Sequence, residues 1–327
     1  SRGCASKKLI IARDHSYHGS TYAAMSAGKR PGDHVPEFQY MNDIFHHISC
    51  PNPYRPPEGM EEGDLTELLV KEFEDTIERL GSNNIGGFLA EPIQASGGVI
   101  IPPDGYLRRI REVCKSHNIL FVADEVVTAF GRLGHWFASE DEFGMIPDII
   151  CSAKGLSSGY LPIGAMIYSS EVHEVISQSE SGYFTSGFTY AGHPVSCAAA
   201  LKNIEIMERE DILKNAHDVG LYFENKLSTL NDLPLVGNVR GKKMMMCVEN
   251  VANKETKELL PDELNVGKLI SNKAEELGLL VRPLGHLNVM SPALNITTED
   301  IDFIVLNLKK SIVSVTDSLV RSGHKIS

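Results

Sequence analysis

The sequence predicts an α/β protein: a mostly parallel sheet flanked by helices, followed by a smaller C-terminal α+β domain. Three observations carry this. Short apolar runs alternate with amphipathic helical patterns through the N-terminal part of the chain. Such alternation implies crossover connections between parallel strands. Several runs end on a polar residue, Glu91, Asp124 or Lys154. In open α/β sheets that position, beyond a strand's carboxyl end, is where ligands bind. Beyond about residue 206 the pattern changes to long amphipathic helices around short strands, giving a large domain over 1–206 and a small one over 207–327.

Lys8 to Arg13, with Leu9, Ile10 and Ile11 in a row, reads as a buried strand. The segment Lys29 to Gly63, rich in Pro, His and Asn, reads as a long surface excursion, of a length uncommon unless functional. Asp64 opens a helix with Glu67 as its expected capping-box partner. Leu69, Phe73, Ile77 and Leu80 form that helix's apolar stripe, and Gly81 closes it. Ile85 to Ala90 is a strand, Tyr106 to His117 a helix, and Ile119 to Ala123 a strand ending at Asp124. Asp148 to Cys151 runs toward Lys154, and Ile163 to Tyr168 is a further strand. Helices are expected at about Pro194–Glu208, Ile212–Leu230, Asn265–Leu277 and Glu299–Leu319. The small domain's strands fall near Met244–Val248, Leu279–Val281 and Leu287–Met290.

Composition removes several classes of function. With 327 residues, 42% of them hydrophobic, the chain can bury a core, which disordered segments cannot. The net charge of -12 repels phosphate backbones, so no nucleic-acid partner is expected. No apolar run reaches bilayer-spanning length, and Ser1 to Lys8 holds no apolar signal-type stretch. Cys4, Cys50, Cys114, Cys151, Cys197 and Cys247 show no metal-knuckle or redox spacing. Free thiols in a reducing, cytoplasmic setting are the expectation. His46-His47 has no partner motif, so no metal site is expected.

The chemistry gathers at the strand ends. Lys154 lies between small residues, Ser152-Ala153 before and Gly155 after. A partly desolvated lysine there would be nucleophilic toward carbonyls. An acid after the run Ile119 to Ala123 does not serve packing. Together they suggest pyridoxal phosphate, which needs a lysine for its Schiff base and an Asp at its ring nitrogen. Tyr17-His18-Gly19 offers an aromatic face, and Thr189-Tyr190 a phosphate donor.

The segments Ser16-Tyr17-His18-Gly19, Glu91-Pro92-Ile93-Gln94 and Ala123-Asp124-Glu125-Val126 resemble those of class III pyridoxal-phosphate aminotransferases, of fold type I. So do Ala153-Lys154-Gly155, the run Gly187 to Pro194, Val281 to Gly285, and Ser291-Pro292. The stretch Lys154 to Ala165 and the Arg282 segment are most similar to the ω-amino acid or amine:pyruvate branch. The resemblance implies ping-pong transamination between an amine donor and a keto acid. Lys154 would carry the cofactor and shuttle the proton, and Asp124 would hold the pyridinium nitrogen. Tyr17, with His18 beside it, would stack on one ring face and Val126 would pack on the other. Thr189 would bind the phosphate, reaching into a partner subunit's site in a homodimer or higher homo-oligomer. Glu91 would support the cofactor from the sheet, and Arg282, with Tyr17, would meet the substrate, the arginine pairing with its carboxylate.

Family members extend further at the N-terminus, where a Gly/Ser-rich loop at a helix start cradles the cofactor phosphate. This polypeptide opens with Ser1-Arg2-Gly3-Cys4 directly before the first strand. The expectation is weakened cofactor affinity for this polypeptide. Other readings are another class III donor (4-aminobutyrate, an ornithine-type amine or a diamine), an inactive dimerisation module, or a serine hydrolase using Ser157. The last rests on Gly155-Leu156-Ser157-Ser158-Gly159, which fits the nucleophile-elbow pattern but leads into a strand rather than a helix.

Overall fold

The computed structural model describes residues 4–60, 64–178, 184 and 187–327. The described chain divides into two compact units, 1–130 with 135–210, and 131–134 with 211–327.

The first unit is built on strands β1 (Leu9–Arg13), β2 (Phe45–Ile48), β3 (Ile85–Ala90), β4 (Leu120–Asp124), β5 (Ile149–Ser152) and β6 (Ala165–Tyr168). Their order is β2-β1-β3-β4-β5-β6. The first five run parallel, and β6 pairs antiparallel with β5. The helices are α1 (Tyr22–Ala27), α2 (Leu65–Leu80), α3 (Tyr106–Ser116), α4 (Ala138–Asp141), α5 (Ser170–Gln178) and α6 (Pro194–Arg209). Leu69, Phe73 and Ile77 of α2 and Leu107 and Ile110 of α3 bury against Phe88 and Phe121 of the sheet. Phe88 stands between Phe73 and Phe121, with ring centroids 5.0 and 5.3 Å away.

Asp64 caps α2 by accepting from Thr66 N and Glu67 N. The expected capping-box return from Glu67 is replaced by an ion pair with Arg109 on α3. The excursion 29–63 is not wholly irregular: it contains β2, an edge strand on β1, while residues 61–63 of that segment lie outside the described residues. The helix α5 also lay outside the sequence expectations.

The second unit is α+β. Strands β7 (Val236–Lys242), β8 (Met245–Asn250), β9 (Arg282–Leu284) and β10 (Leu287–Met290) form an antiparallel sheet ordered β7-β8-β10-β9. The strand expected at Leu279–Val281 is displaced to β9, and β7 was not anticipated. Helices α7 (Ile212–Ser228), α8 (Val266–Glu275) and α9 (Thr298–Arg321) pack Phe223, Ile270, Ile301 and Leu308 onto the sheet. Among the described residues no helix is long and apolar enough to cross a membrane.

Candidate active site

Parallel pairing places the carboxyl ends of β1, β3, β4 and β5 along one edge of the first unit's sheet. Tyr17 and His18 follow β1, Glu91 follows β3, Asp124 closes β4, and Lys154 follows β5. Asp124 is in register with Cys151, three residues before Lys154. The sheet therefore brings the acid and the lysine to the ends of neighbouring strands.

Asp124 is held from both sides. One carboxylate oxygen meets His18 Nδ1 at 2.7 Å, and the two side chains are only 10% and 4% exposed. The other accepts from Val126 N at 3.1 Å. A carboxylate so placed offers a low-dielectric partner for a cationic ring nitrogen. Its field reaches Cys151, whose thiol burial pushes up to about 11 with Asp124 adding to the rise. The His18 Nε2 atom is buried without a hydrogen-bond partner among the described residues.

Glu91 follows β3, at the sheet edge that also carries Asp124. It is fully buried and spends its two oxygens on backbone: Tyr17 N donates at 3.0 Å and Ala95 N at 2.9 Å. It therefore fastens the segment carrying Tyr17 and His18. Burial, with the nearby Asp124 charge, holds its carboxyl above the usual range, against the pull of His18, the Tyr17 amide and Arg13. Arg13, wholly buried on β1, donates to the Glu91 carbonyl and ties the two strand ends together. One face of the half-buried Tyr17 ring is covered by the Arg30 guanidinium, 4.9 Å from the centroid, and the Tyr17 hydroxyl lies 3.1 Å from Ser20 Oγ.

Lys154 opens a short 3-10 turn, Lys154–Leu156, with φ of 36°. It is exposed rather than partly desolvated as expected, and among the described residues its amine has no carboxylate partner. Gly155 is required by packing: a Cβ there would lie 2.9 Å from Phe130 Cβ and 3.2 Å from the Ala129 carbonyl. Asn203 on α6 donates to the carbonyls of Gly155 and Leu156. Ser157 is 3% exposed and its hydroxyl donates to the Leu161 carbonyl at 2.7 Å. That bond uses the group that a hydrolase would need free.

Thr189 lies in an exposed turn between Phe188 and Tyr190, which are 83% and 78% exposed. Arg282 belongs to the second unit, where it is exposed on β9 and borders a cavity of about 510 Å³ with Val281, Met290 and Ser291. The described residues contain no group of three or more His, Cys, Asp or Glu side chains able to hold a metal.

Sequence reasoning missed Arg13, Asn203 and Glu125. The Glu125 carboxylate is buried and accepts from Ala138 N and Ser139 N, anchoring α4. Asn203 had a legible signal: it falls three residues after Ala200 and four before Met207, both buried. A polar residue in a helix's buried stripe needs a partner.

The donor set fits pyridoxal phosphate: a buried carboxylate for the ring nitrogen, a primary amine one strand away, and an aromatic ring beside them. A family model described as aminotransferase class-III matches residues 1–312. The chain is 38% identical over 313 residues to putrescine–pyruvate aminotransferase of Pseudomonas aeruginosa, covering 95% of this chain and 67% of that one. It is 37% identical to the chloroplastic gamma aminobutyrate transaminase 3 of Solanum lycopersicum, covering 95% of this chain and 60% of that one. The chain thus spans between three-fifths and about two-thirds of these two relatives. The structure of a thermostable (S)-enantioselective omega-transaminase from Thermomicrobium roseum superposes with a TM-score of 0.90 at 38% identity, covering 96% of this chain and 69% of that one.

Proposed function

The chain belongs to the class III aminotransferases, a pyridoxal-phosphate-dependent family, and from that membership we propose that it moves an amino group from a small amine or ω-amino acid to a keto acid such as pyruvate. The observation that supports this is that Asp124, fastened by His18, closes β4 while Lys154 follows the neighbouring strand β5. When bound, pyridoxal phosphate supplies a ring that accepts the electron pair left as the donor's Cα proton departs. The chain's own residues do the rest. Lys154 Nζ would hold the cofactor and would serve as the base and acid that moves the proton from the donor's Cα. Asp124, fastened by His18, would hold the proton on the ring nitrogen. Tyr17 would stack on the ring and Val126 would pack against it, and Glu91 fixes the backbone that carries Tyr17.

A diamine or simple amine donor with pyruvate is the favoured pairing, supported by the likeness to the Pseudomonas enzyme and the Thermomicrobium structure. The tomato relative favours 4-aminobutyrate as the second reading. Arg282 is the discriminator, because a guanidinium pairs in bidentate fashion with a carboxylate and has nothing to offer an amine tail. Arg282→Ala should raise KM for 4-aminobutyrate and pyruvate while leaving KM for putrescine unchanged. A homodimer is part of the reading. Phe188, Tyr190 and Leu201 (68% exposed) present apolar area that a second copy would cover, with Thr189 among them serving the phosphate. Six free cysteines accord with a reducing, cytoplasmic compartment.

The test is an absorbance scan with added pyridoxal phosphate, before and after borohydride, with peptide mapping and Lys154→Ala as control. A reduced adduct on Lys154 supports the reading, and a donor screen against pyruvate then ranks the substrates. A band unchanged in Lys154→Ala would refute it.

A further inference from the structure

We propose that Asn203 is a positioning residue for the Lys154 amine: its carboxamide, reaching from the middle of α6, locks the two carbonyls that follow the lysine. The inference deepens the reading above and rests on Lys154 being the cofactor-bearing residue. Asn203 Nδ2 donates to the Gly155 carbonyl at 2.9 Å and to the Leu156 carbonyl at 3.2 Å. The same nitrogen lies 3.5 Å from Met207 Sδ.

Three features make this tie more than a helix-packing contact. First, Lys154 sits at φ 36°, in the left-handed region that side chains other than glycine avoid and that persists only where the surroundings enforce it. Second, the turn that enforces it is short. Leu156 N donates to the Ala153 carbonyl at 2.8 Å, and Ser157 N and Ser158 N donate to the Lys154 and Gly155 carbonyls, each at 3.3 Å. Carbonyls at the end of a helical segment lack partners within it; Asn203 supplies a donor to the Leu156 carbonyl and a second donor to the Gly155 carbonyl, beside Ser158 N. Third, the turn cannot relax by sliding toward β4, because Gly155 is already packed against Ala129 and Phe130.

The partners are carbonyl oxygens, so only the amide nitrogen can face them. This fixes the role as donation and separates it from shape. The side chain links residues 48 positions apart. It mounts the Lys154 turn on α6, the same helix whose start, at Pro194, directly follows the turn containing Thr189. The lysine and the proposed phosphate-binding turn therefore share one rigid support.

The experiment compares the cofactor-loaded full chain with Asn203→Asp, which keeps the shape but faces the carbonyls with oxygen, and with Asn203→Leu, which keeps helix propensity but cannot donate. Wild type is first reduced with borohydride and mapped. Expected are an adduct on Lys154, a fall in kcat of about tenfold or more in both variants with KM within about twofold, and a shifted pH midpoint for the absorbance band of the lysine-bound cofactor. About tenfold corresponds to the ~1.4 kcal/mol of misplacement that two lost hydrogen bonds can cause. No adduct on Lys154 in wild type overturns the underlying reading and the proposal with it. An adduct in wild type, with kcat and titration midpoint unchanged in both variants, overturns the proposal alone. Loss of the fold in Asn203→Leu, judged by its thermal midpoint, would assign Asn203 to stability and also overturn the positioning role.

Discussion

Replacing Glu91 with Gln tests whether the carboxylate serves as a backbone anchor. In the native state each oxygen takes one part-buried N–H, from Tyr17 at 3.0 Å and from Ala95 at 2.9 Å. Gln offers one carbonyl oxygen and one NH2, which cannot accept. One of the two amides is then stranded, at a cost of about 1–3 kcal/mol. The cost should depend on pH with a defined sign. Burial holds the Glu91 carboxyl above its ordinary range, so the folded chain binds that proton more tightly than the unfolded one. The stability contributed by the acid is complete below the usual carboxylate range and is lost as pH rises through the native pKa. Gln does not titrate. The gap between wild type and Glu91→Gln should therefore be widest in acid and narrow with rising pH, by no more than ~1.4 kcal/mol per pH unit. The assay is urea unfolding of the cofactor-free chain at several pH values above 4. The single tryptophan, Trp136, lies in the first unit and reports on that unit alone. A cost below about 0.5 kcal/mol throughout would refute the anchor, and parallel stability curves would refute the raised carboxyl.

The other predictions concern the lysine turn. Lys154→Gly relieves the left-handed backbone and should stabilise the first unit by about 1 kcal/mol, read by the same unfolding assay, while abolishing the borohydride-fixed adduct. Gly155→Ala forces a methyl to 2.9 Å from Phe130 Cβ and should destabilise by about 1–3 kcal/mol and slow adduct formation. Ser157→Ala removes one hydrogen bond to the Leu161 carbonyl and should cost about 1 kcal/mol with kcat unchanged. A fluorophosphonate probe should leave wild-type Ser157 unlabelled, and labelling there would revive a hydrolase.

The strands were legible where burial made them monotonous. β3 and β4 lie inside the parallel sheet, so their sequences read as apolar runs. β2 is Phe-His-His-Ile on the sheet edge, half-buried for three of its four residues. An edge strand under such partial cover has no run to show, and it was lost in the surrounding Pro- and His-rich segment. β9 contains Pro283, which argues against a strand interior but is tolerated at the edge it occupies. At the site, Lys154 and Asp124 were legible because each interrupts or ends an apolar run. The bond from His18 to Asp124 joins positions 106 apart and leaves no local pattern. The partners of Glu91 are backbone amides, which no side-chain motif encodes. The site's residue types were therefore readable, whereas its fastenings depend on tertiary geometry.

Those fastenings matter because strain is concentrated at the same edge. In the first unit the described non-glycine residues with positive φ are His15, Val99, Asn118, Phe130, Lys154 and Ser158. Asn118 ends a helix, where its type is at home. The other five lie in the segments that follow β1, β3, β4 and β5. Val99 is β-branched and wholly buried, a combination that the left-handed region penalises strongly. At about 1 kcal/mol or more each, these five conformations together rival the net stability of an ordinary domain. They hold because the segments are wedged together. A Cβ at Gly97 would lie 2.4 Å from the His15 carbonyl, and one at Gly155 would strike Phe130. The loops after β1 and β3 thus fix each other, as do those after β4 and β5. The aromatic-lined sheet beneath supplies the burial that offsets the strain. Lys154 is one of these strained residues, and the packing of Gly155 against Phe130 leaves its turn little room to relax.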